Sequence, residues 1–207
     1  AFANKNKGKH IIISAIEHLC VAESAKWLKS QGFEITKIGV DKFGKVNPED
    51  VKKAIKKDTI LVSIIHASNE IGTIQPIAEI GKICRERGVC FHTDASQSFG
   101  KIKFNVKDLN VDLLTASSHK LYGPKGAACL YIKEGVKIEP LLHGGGQENQ
   151  MRSSTVNIPA IIGFAKACEI AKKEMEADAE RLSKLREKLV KGALKIKDSH
   201  LNGHPKD

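Results

Sequence analysis

The stretch Ile77-Ala-Glu-Ile-Gly-Lys-Ile-Cys-Arg-Glu-Arg87, then Gly88, then Val89-Cys-Phe-His-Thr93 with Asp94 behind it, decides the fold class. The first part carries apolar residues at helical spacing, Gly88 stops it, and a short β-branched and aromatic run follows. Thr59 to Ile65 upstream is a second such run and Val111 to Ala116 downstream a third. Strand, helix and strand in alternation predict an α/β domain with a largely parallel sheet, because parallel strands need helical crossovers.

Working outward, His10-Ile-Ile-Ile-Ser14 reads as a buried strand, Val21 to Gln31 as a helix closed by Gly32, and Phe33 to Val40 as the next strand. Asn47-Pro48-Glu49-Asp50 opens a helix to about Lys57, with a capping Asn, Pro at the first position and acids at the positive end of the dipole. Ala128 to Lys133 reads as a further strand. After Gly144-Gly-Gly146, a long helix is expected from Pro159 to about Lys197. The expected fold is a three-layer α/β/α arrangement around a mainly parallel sheet. Residues 1–158 are read as the α/β body, and 159–207 as a long interdomain helix and the start of a second, smaller domain.

The 207 residues carry a net charge of +10, with Lys5 to Lys9, Lys52 to Lys57 and the last helix as its main sources. These read as solvated segments, and no basic stretch interleaves with aromatics as in single-strand binders, so no nucleic-acid partner is expected. The five cysteines are odd in number and contain no C-x-x-C pair, which argues against a disulfide framework and a zinc site and for a reducing, cytoplasmic setting. They are read as small buried hydrophobes. No apolar run has the length of a membrane span. The chain opens on Ala1 within a polar stretch and is expected to be part of a longer protein.

In open α/β sheets ligands collect where the strands' carboxyl ends meet helix N-termini. His18 follows the first strand, His66 and Asn69 the Thr59 to Ile65 strand, Asp94 and Gln97 the Val89 to Thr93 strand, and His119 and Lys120 the Val111 to Ala116 strand. An acid and a lysine at two strand ends suit pyridoxal 5'-phosphate (PLP), which needs a lysine for its aldehyde and an acid for its pyridine nitrogen. A structural ion pair at a strand edge accounts for the spacing equally well. His18 reads alternatively as a helix-entry residue, Asn69 as a turn residue before Gly72, Ser117 and His119 as strand-end polars, and Thr155 as a helix-start residue before Pro159. His66, His92, His143, His200 and His204 are read as structural or solvent residues, since no metal spacing links them.

Four motifs in order then resemble the cysteine desulfurases, which belong to the class V aminotransferase-like, fold-type I PLP enzymes. They are His66-Ala-Ser-Asn69-Glu70-Ile-Gly72, His92-Thr-Asp94-Ala-Ser-Gln97-Ser98, Ser117-Ser118-His119-Lys120-Leu-Tyr-Gly-Pro-Lys-Gly126, and Gly144-Gly-Gly-Gln-Glu148 with Met151-Arg-Ser-Ser-Thr155. The resemblance implies that Lys120 forms the Schiff base and that His18 stacks on the pyridine ring and acts in proton transfer. It implies Asn69 and Gln97 on the phenolic oxygen, Asp94 on the ring nitrogen, and Ser117 and His119 on the phosphate. Thr155 reaches the neighbouring subunit's phosphate, which implies a homodimer. The implied substrate is L-cysteine and the implied partner an iron–sulfur scaffold or other sulfur acceptor. A selenocysteine lyase and a tRNA-linked cysteine-forming enzyme share the fold, and a non-catalytic dimerising core is the non-enzyme alternative. The family's upstream glycine-and-threonine phosphate loop, and its downstream nucleophilic-cysteine loop and substrate-binding arginine, have no counterpart in these residues. The chain alone is therefore expected to be inactive.

Overall fold

The computed structural model describes residues 1–206. Its backbone alternates as the sequence pattern requires: β1 (His10–Ser14), α1 (Leu19–Ser30), β2 (Glu34–Ile38), α2 (Pro48–Ala54), β3 (Thr59–Ser63), α3 (Ile77–Arg87), β4 (Cys90–Asp94), β5 (Leu113–Ser117), β6 (Ala128–Ile132) and α4 (Ile158–Ala193). The six strands form one sheet in the order β2-β1-β3-β4-β5-β6. Every pairing is parallel except β5 with β6, which is antiparallel.

Local chemistry sets the element ends. Asn47 accepts the Glu49 amide hydrogen through its side chain and Pro48 follows at the first helical position, so α2 begins where the sequence predicts. Gly88 takes the left-handed conformation at the end of α3, with φ 66°, which a side chain would resist. Asn157, and not Thr155, caps α4 by accepting from the Ala160 amide. That helix stops at Ala193, whose carbonyl accepts the Ser199 hydroxyl.

Side-chain alternation along the strands builds a core on each face. Ile11, Ile13 and Ile60 pack with Ala25 of α1 and Phe33. On the other face Ile12, Val62, Phe91 and Leu114 pack with Val51 of α2, Ile77, Ile80 and Cys84 of α3, and Phe164 of α4. The result is the expected three-layer arrangement. One expectation needs correction: of the five free cysteines only Cys84 is fully buried, and Cys20 and Cys129 are exposed. Cys20 stands in the open first turn of α1, and Cys129 lies on the edge strand β6, which no further strand covers.

No helix among the described residues is long and apolar enough to cross a membrane. After α4 the chain returns to the sheet's carboxyl end, where the His204 amide donates to Thr73 Oγ1 at 3.0 Å and its ring meets Phe43 at 5.3 Å.

Candidate active site

Parallel strands expose their carboxyl ends together, and the polar residues gather there. Asp94 closes β4 and is 5% exposed. Its Oδ1 accepts the Ser96 amide hydrogen at 2.9 Å, while the Cys20 thiol lies 3.8 Å from Oδ2. One oxygen is thus fixed by backbone and the other faces the site.

The loop between β1 and α1 brings His18 and Cys20 to this carboxylate. His18 is the N-cap of α1, its Nδ1 accepting the Cys20 amide hydrogen at 3.2 Å, so its helix-entry reading is met in full. Glu17 anchors the loop: its Oε1 accepts from the Ser14 hydroxyl at 2.6 Å and from the Ile65 amide at 2.8 Å, while its buried Oε2 has no partner. Burial, reinforced by the nearby Asp94, pushes the Glu17 carboxyl up to about 7, since desolvation disfavours the charged form. Burial, and then the charge of Asp94, likewise raise the Cys20 thiol.

The turn after β5 supplies the cationic side. Ser117 ends the strand, and its hydroxyl lies 3.4 Å from that of Ser96 across the β4–β5 pair. His119 is exposed and Lys120 half-buried on the 3-10 turn Ser118–Leu121, whose Ser118 hydroxyl is buried without a partner. Lys101 donates to Gln97 Oε1 at 3.3 Å. Burial, and then the charge of Lys120, hold the Lys101 ammonium below its ordinary range, which puts two lysines on one side of the site. Both line a cavity of about 410 Å³ that runs from Lys120 along α4 to Leu182.

Asp94, Gln97, Ser117, His119, Lys120 and His18 therefore share the carboxyl ends of β1, β4 and β5. Asn69 sits on the loop after β3, tied to β4 at its base by the bond from the His66 amide to the Asp94 carbonyl; its own amide donates to Glu70. Thr155 is exposed on the loop before α4, and no hydrogen bond joins it to the other seven among the described residues.

Sequence reasoning passed over Glu17, Cys20, Ser96 and Lys101. Glu17 and Ser96 adjoin assigned residues, and their chain position was the available signal; Cys20 is 74 residues from its partner Asp94, and only the fold joins them. The buried histidines are structural, as expected. His92 places its two ring nitrogens 2.8 Å from Ser63 Oγ and 2.8 Å from Thr115 Oγ1, and His66 Nδ1 lies 2.8 Å from Ser98 Oγ. Burial lowers both to about 4, so both rings are neutral.

The donor set can be tested against the cofactor chemistry it is meant to serve. A pyridinium needs a buried carboxylate, and Asp94 is one, its Oδ2 held only by the weak thiol donor of Cys20. A phosphate needs hydroxyl and imidazole donors in a cationic field, and Ser117, His119 and the neighbouring Lys101 offer them, which leaves the Lys120 amine for the aldehyde. The residues fit PLP.

Comparison with known proteins gives the same direction. The family model described as "Aminotransferase class-V" matches residues 1–207. The chain is 55% identical over 205 residues to cysteine desulfurase IscS of Methanosarcina thermophila, covering 99% of this chain and 51% of that protein. It is 47% identical to the mitochondrial cysteine desulfurase of Saccharomyces cerevisiae, covering 99% and 41%. Among solved structures, a NifS-like protein superposes with a TM-score of 0.93 at 42% identity, covering 98% of this chain and 56% of that one. A structure described as "SspA in complex with cysteine" gives 0.79 at 42% identity, covering 82% and 49%. The chain spans about half the length of the curated relatives it matches.

Proposed function

Because the chain belongs to the class-V aminotransferase family along its whole length, we propose that it forms the cofactor-holding body of a cysteine desulfurase, which takes sulfur from L-cysteine and leaves alanine and an enzyme persulfide. The observation that carries this reading is the buried Asp94, one oxygen on the Ser96 amide and the other meeting only the weak thiol donor of Cys20, at the end of the strand paired with the one that leads into the Lys120 turn. When bound, PLP supplies an electron sink for a carbanion at the substrate's α-carbon.

The chain's own residues divide the remaining work. Lys120 offers the amine that captures the cofactor aldehyde. Asp94 keeps a proton on the ring nitrogen, where an ionised partner favours the charged form. Gln97, its carbonyl oxygen occupied by Lys101, keeps its amide hydrogens for the phenolic oxygen, and Asn69 is its counterpart from the loop after β3. Ser117 and His119 hold the phosphate, in the field of Lys101. His18, fixed at the α1 N-cap, covers the ring and moves a proton. Thr155 serves the cofactor of a second subunit, which makes the working form a homodimer. Its exposed position on the loop before α4 supports that reading.

In this account residues 1–158 are the cofactor-binding domain and 159–207 lead into a smaller one. The persulfide sulfur passes to an iron–sulfur scaffold or another acceptor in a cytoplasmic setting, to which the five free cysteines are suited. The test adds PLP to the chain and to Lys120→Ala, and assays the full-length protein for alanine and sulfide release from L-cysteine. A visible absorption band in wild type only, with turnover by the full protein, is expected. The same spectrum from both chains overturns the lysine assignment, and no turnover overturns the reaction.

A further inference from the structure

His18, Cys20 and Asp94 each bring one metal-ligating atom into a cluster whose members all lie within 4.8 Å of one another. They come from the start of α1 and the end of β4, and the parallel sheet sets them side by side. The set of imidazole nitrogen, thiol sulfur and carboxylate oxygen is the borderline-soft mixture that zinc takes, with three protein ligands leaving a fourth position for water. Zinc bond lengths of about 2.0–2.3 Å place tetrahedral ligand atoms roughly 3.3–3.7 Å apart. Cys20 Sγ and Asp94 Oδ2 are already 3.8 Å apart. The longest edge must close by about 1 Å, and His18 and Cys20 are both exposed, so their side chains have room to turn.

We propose that the cofactor-free chain binds one zinc ion through His18, Cys20 and Asp94, and that zinc and PLP exclude each other. The metal part stands on these three residues alone. The exclusion rests on the reading of Asp94 as the pyridine partner, because its open oxygen cannot serve both groups. On binding, the Cys20 thiol proton leaves to solvent and a sulfur–zinc bond replaces the S–H bond, with no change of oxidation state. His18 offers one ring nitrogen to the ion. Asp94 stays pinned by Ser96 through Oδ1, which orients Oδ2 toward the ion as outer-shell partners do in metal sites. The arrangement makes free zinc a brake on cofactor loading.

Cobalt(II) is the probe, since it takes zinc sites and shows a sulfur-to-metal charge-transfer band. The 207-residue chain, purified without added PLP, is titrated with cobalt alone and after loading with PLP, beside Cys20→Ser, Asp94→Asn, Cys129→Ser and Lys120→Ala. One equivalent with the band in wild type, Cys129→Ser and Lys120→Ala is expected. The band should be absent in Cys20→Ser, and binding weakened by more than about tenfold in Asp94→Asn. Loading PLP first should block cobalt. As a measurement independent of the variants' folding, zinc should protect Cys20 of wild type from alkylation, read by peptide mass. Persistence of the band in Cys20→Ser, unprotected Cys20, or cobalt and PLP bound together overturns the proposal. A chain that takes cobalt at Cys20 but no PLP upholds the metal site and overturns the cofactor reading.

Discussion

Two sets of polar residues lie on the same sheet, and they differ in how completely they are satisfied. Inside the strands, His92 is held by Ser63 and Thr115 and His10 by Thr59 and Thr36, each at both ring nitrogens. At the strands' carboxyl ends the bookkeeping is left open: among the described residues Glu17 Oε2 and Ser118 Oγ are buried without partners, and Asp94 Oδ2 meets a thiol. Buried polar groups are nearly always paired, so the closed set reads as structure and the open set as a place made for something else. A histidine's worth in this molecule depends on its row along the strand.

The comparison breaks first, if it breaks at all, at Lys120. Lys120→Ala should abolish the cofactor band while leaving the free energy of urea unfolding within about 0.5 kcal/mol of wild type, as expected for a half-exposed side chain outside the core. A lost band with collapsed stability would move Lys120 into the structural set.

Glu17 sharpens it next. Its carboxyl titrates near 7 in the folded chain against about 4.3 when unfolded, so the folded state holds the proton more tightly. Stability from this group is therefore complete below the unfolded value and is lost as pH rises through 7. The loss is on the order of 3 kcal/mol. Glu17→Gln keeps the acceptor for Ser14 and Ile65 and carries no charge. The stability difference between variant and wild type, from urea unfolding at pH 5 and pH 8, should grow in the variant's favour with pH. A constant difference refutes the buried neutral acid.

His92→Leu should cost about 2 kcal/mol by leaving two hydroxyls to find new partners, with the cofactor band unchanged. His66 and His92 carry the opposite pH sign from Glu17. Their folded values are lowered to about 4, so their contribution is present above about 6.5 and lost as pH falls toward 4. Replacing His92 should flatten the acid limb of the stability curve. The smallest effect belongs to Lys101→Gln, expected to weaken PLP binding by less than about tenfold because only a neighbouring charge is lost. An effect equal to that of Lys120→Ala would exchange the two lysines' roles.

The fold was legible because its signals are local. The strand His10–Ser14 and the helix Ile77–Arg87 have the ends that the sequence predicts, the helix stopped by a left-handed glycine. Strand ends shifted where pairing decided them: the strand read as Val111 to Ala116 runs from Leu113 to Ser117, in register with β6 up to Ala128. The long helix ends at Ala193, short of Lys197, and beyond it the Ser199 hydroxyl donates to the Ala193 and Ile196 carbonyls. In the site, residues inside a motif were legible, and residues joined only through space were not. Cys20 was read as a buried hydrophobe because nothing near it in the chain marks Asp94 as its neighbour. Glu17 went unmarked because its partner Ile65 is 48 residues away.

The central claim concerns one amine among two neighbouring lysines. The chain is incubated with PLP, reduced with borohydride to fix the linkage, digested, and mapped by mass spectrometry. The account predicts a single pyridoxyl adduct, on Lys120. An adduct on Lys101, or adducts scattered over the exposed lysines, would contradict it.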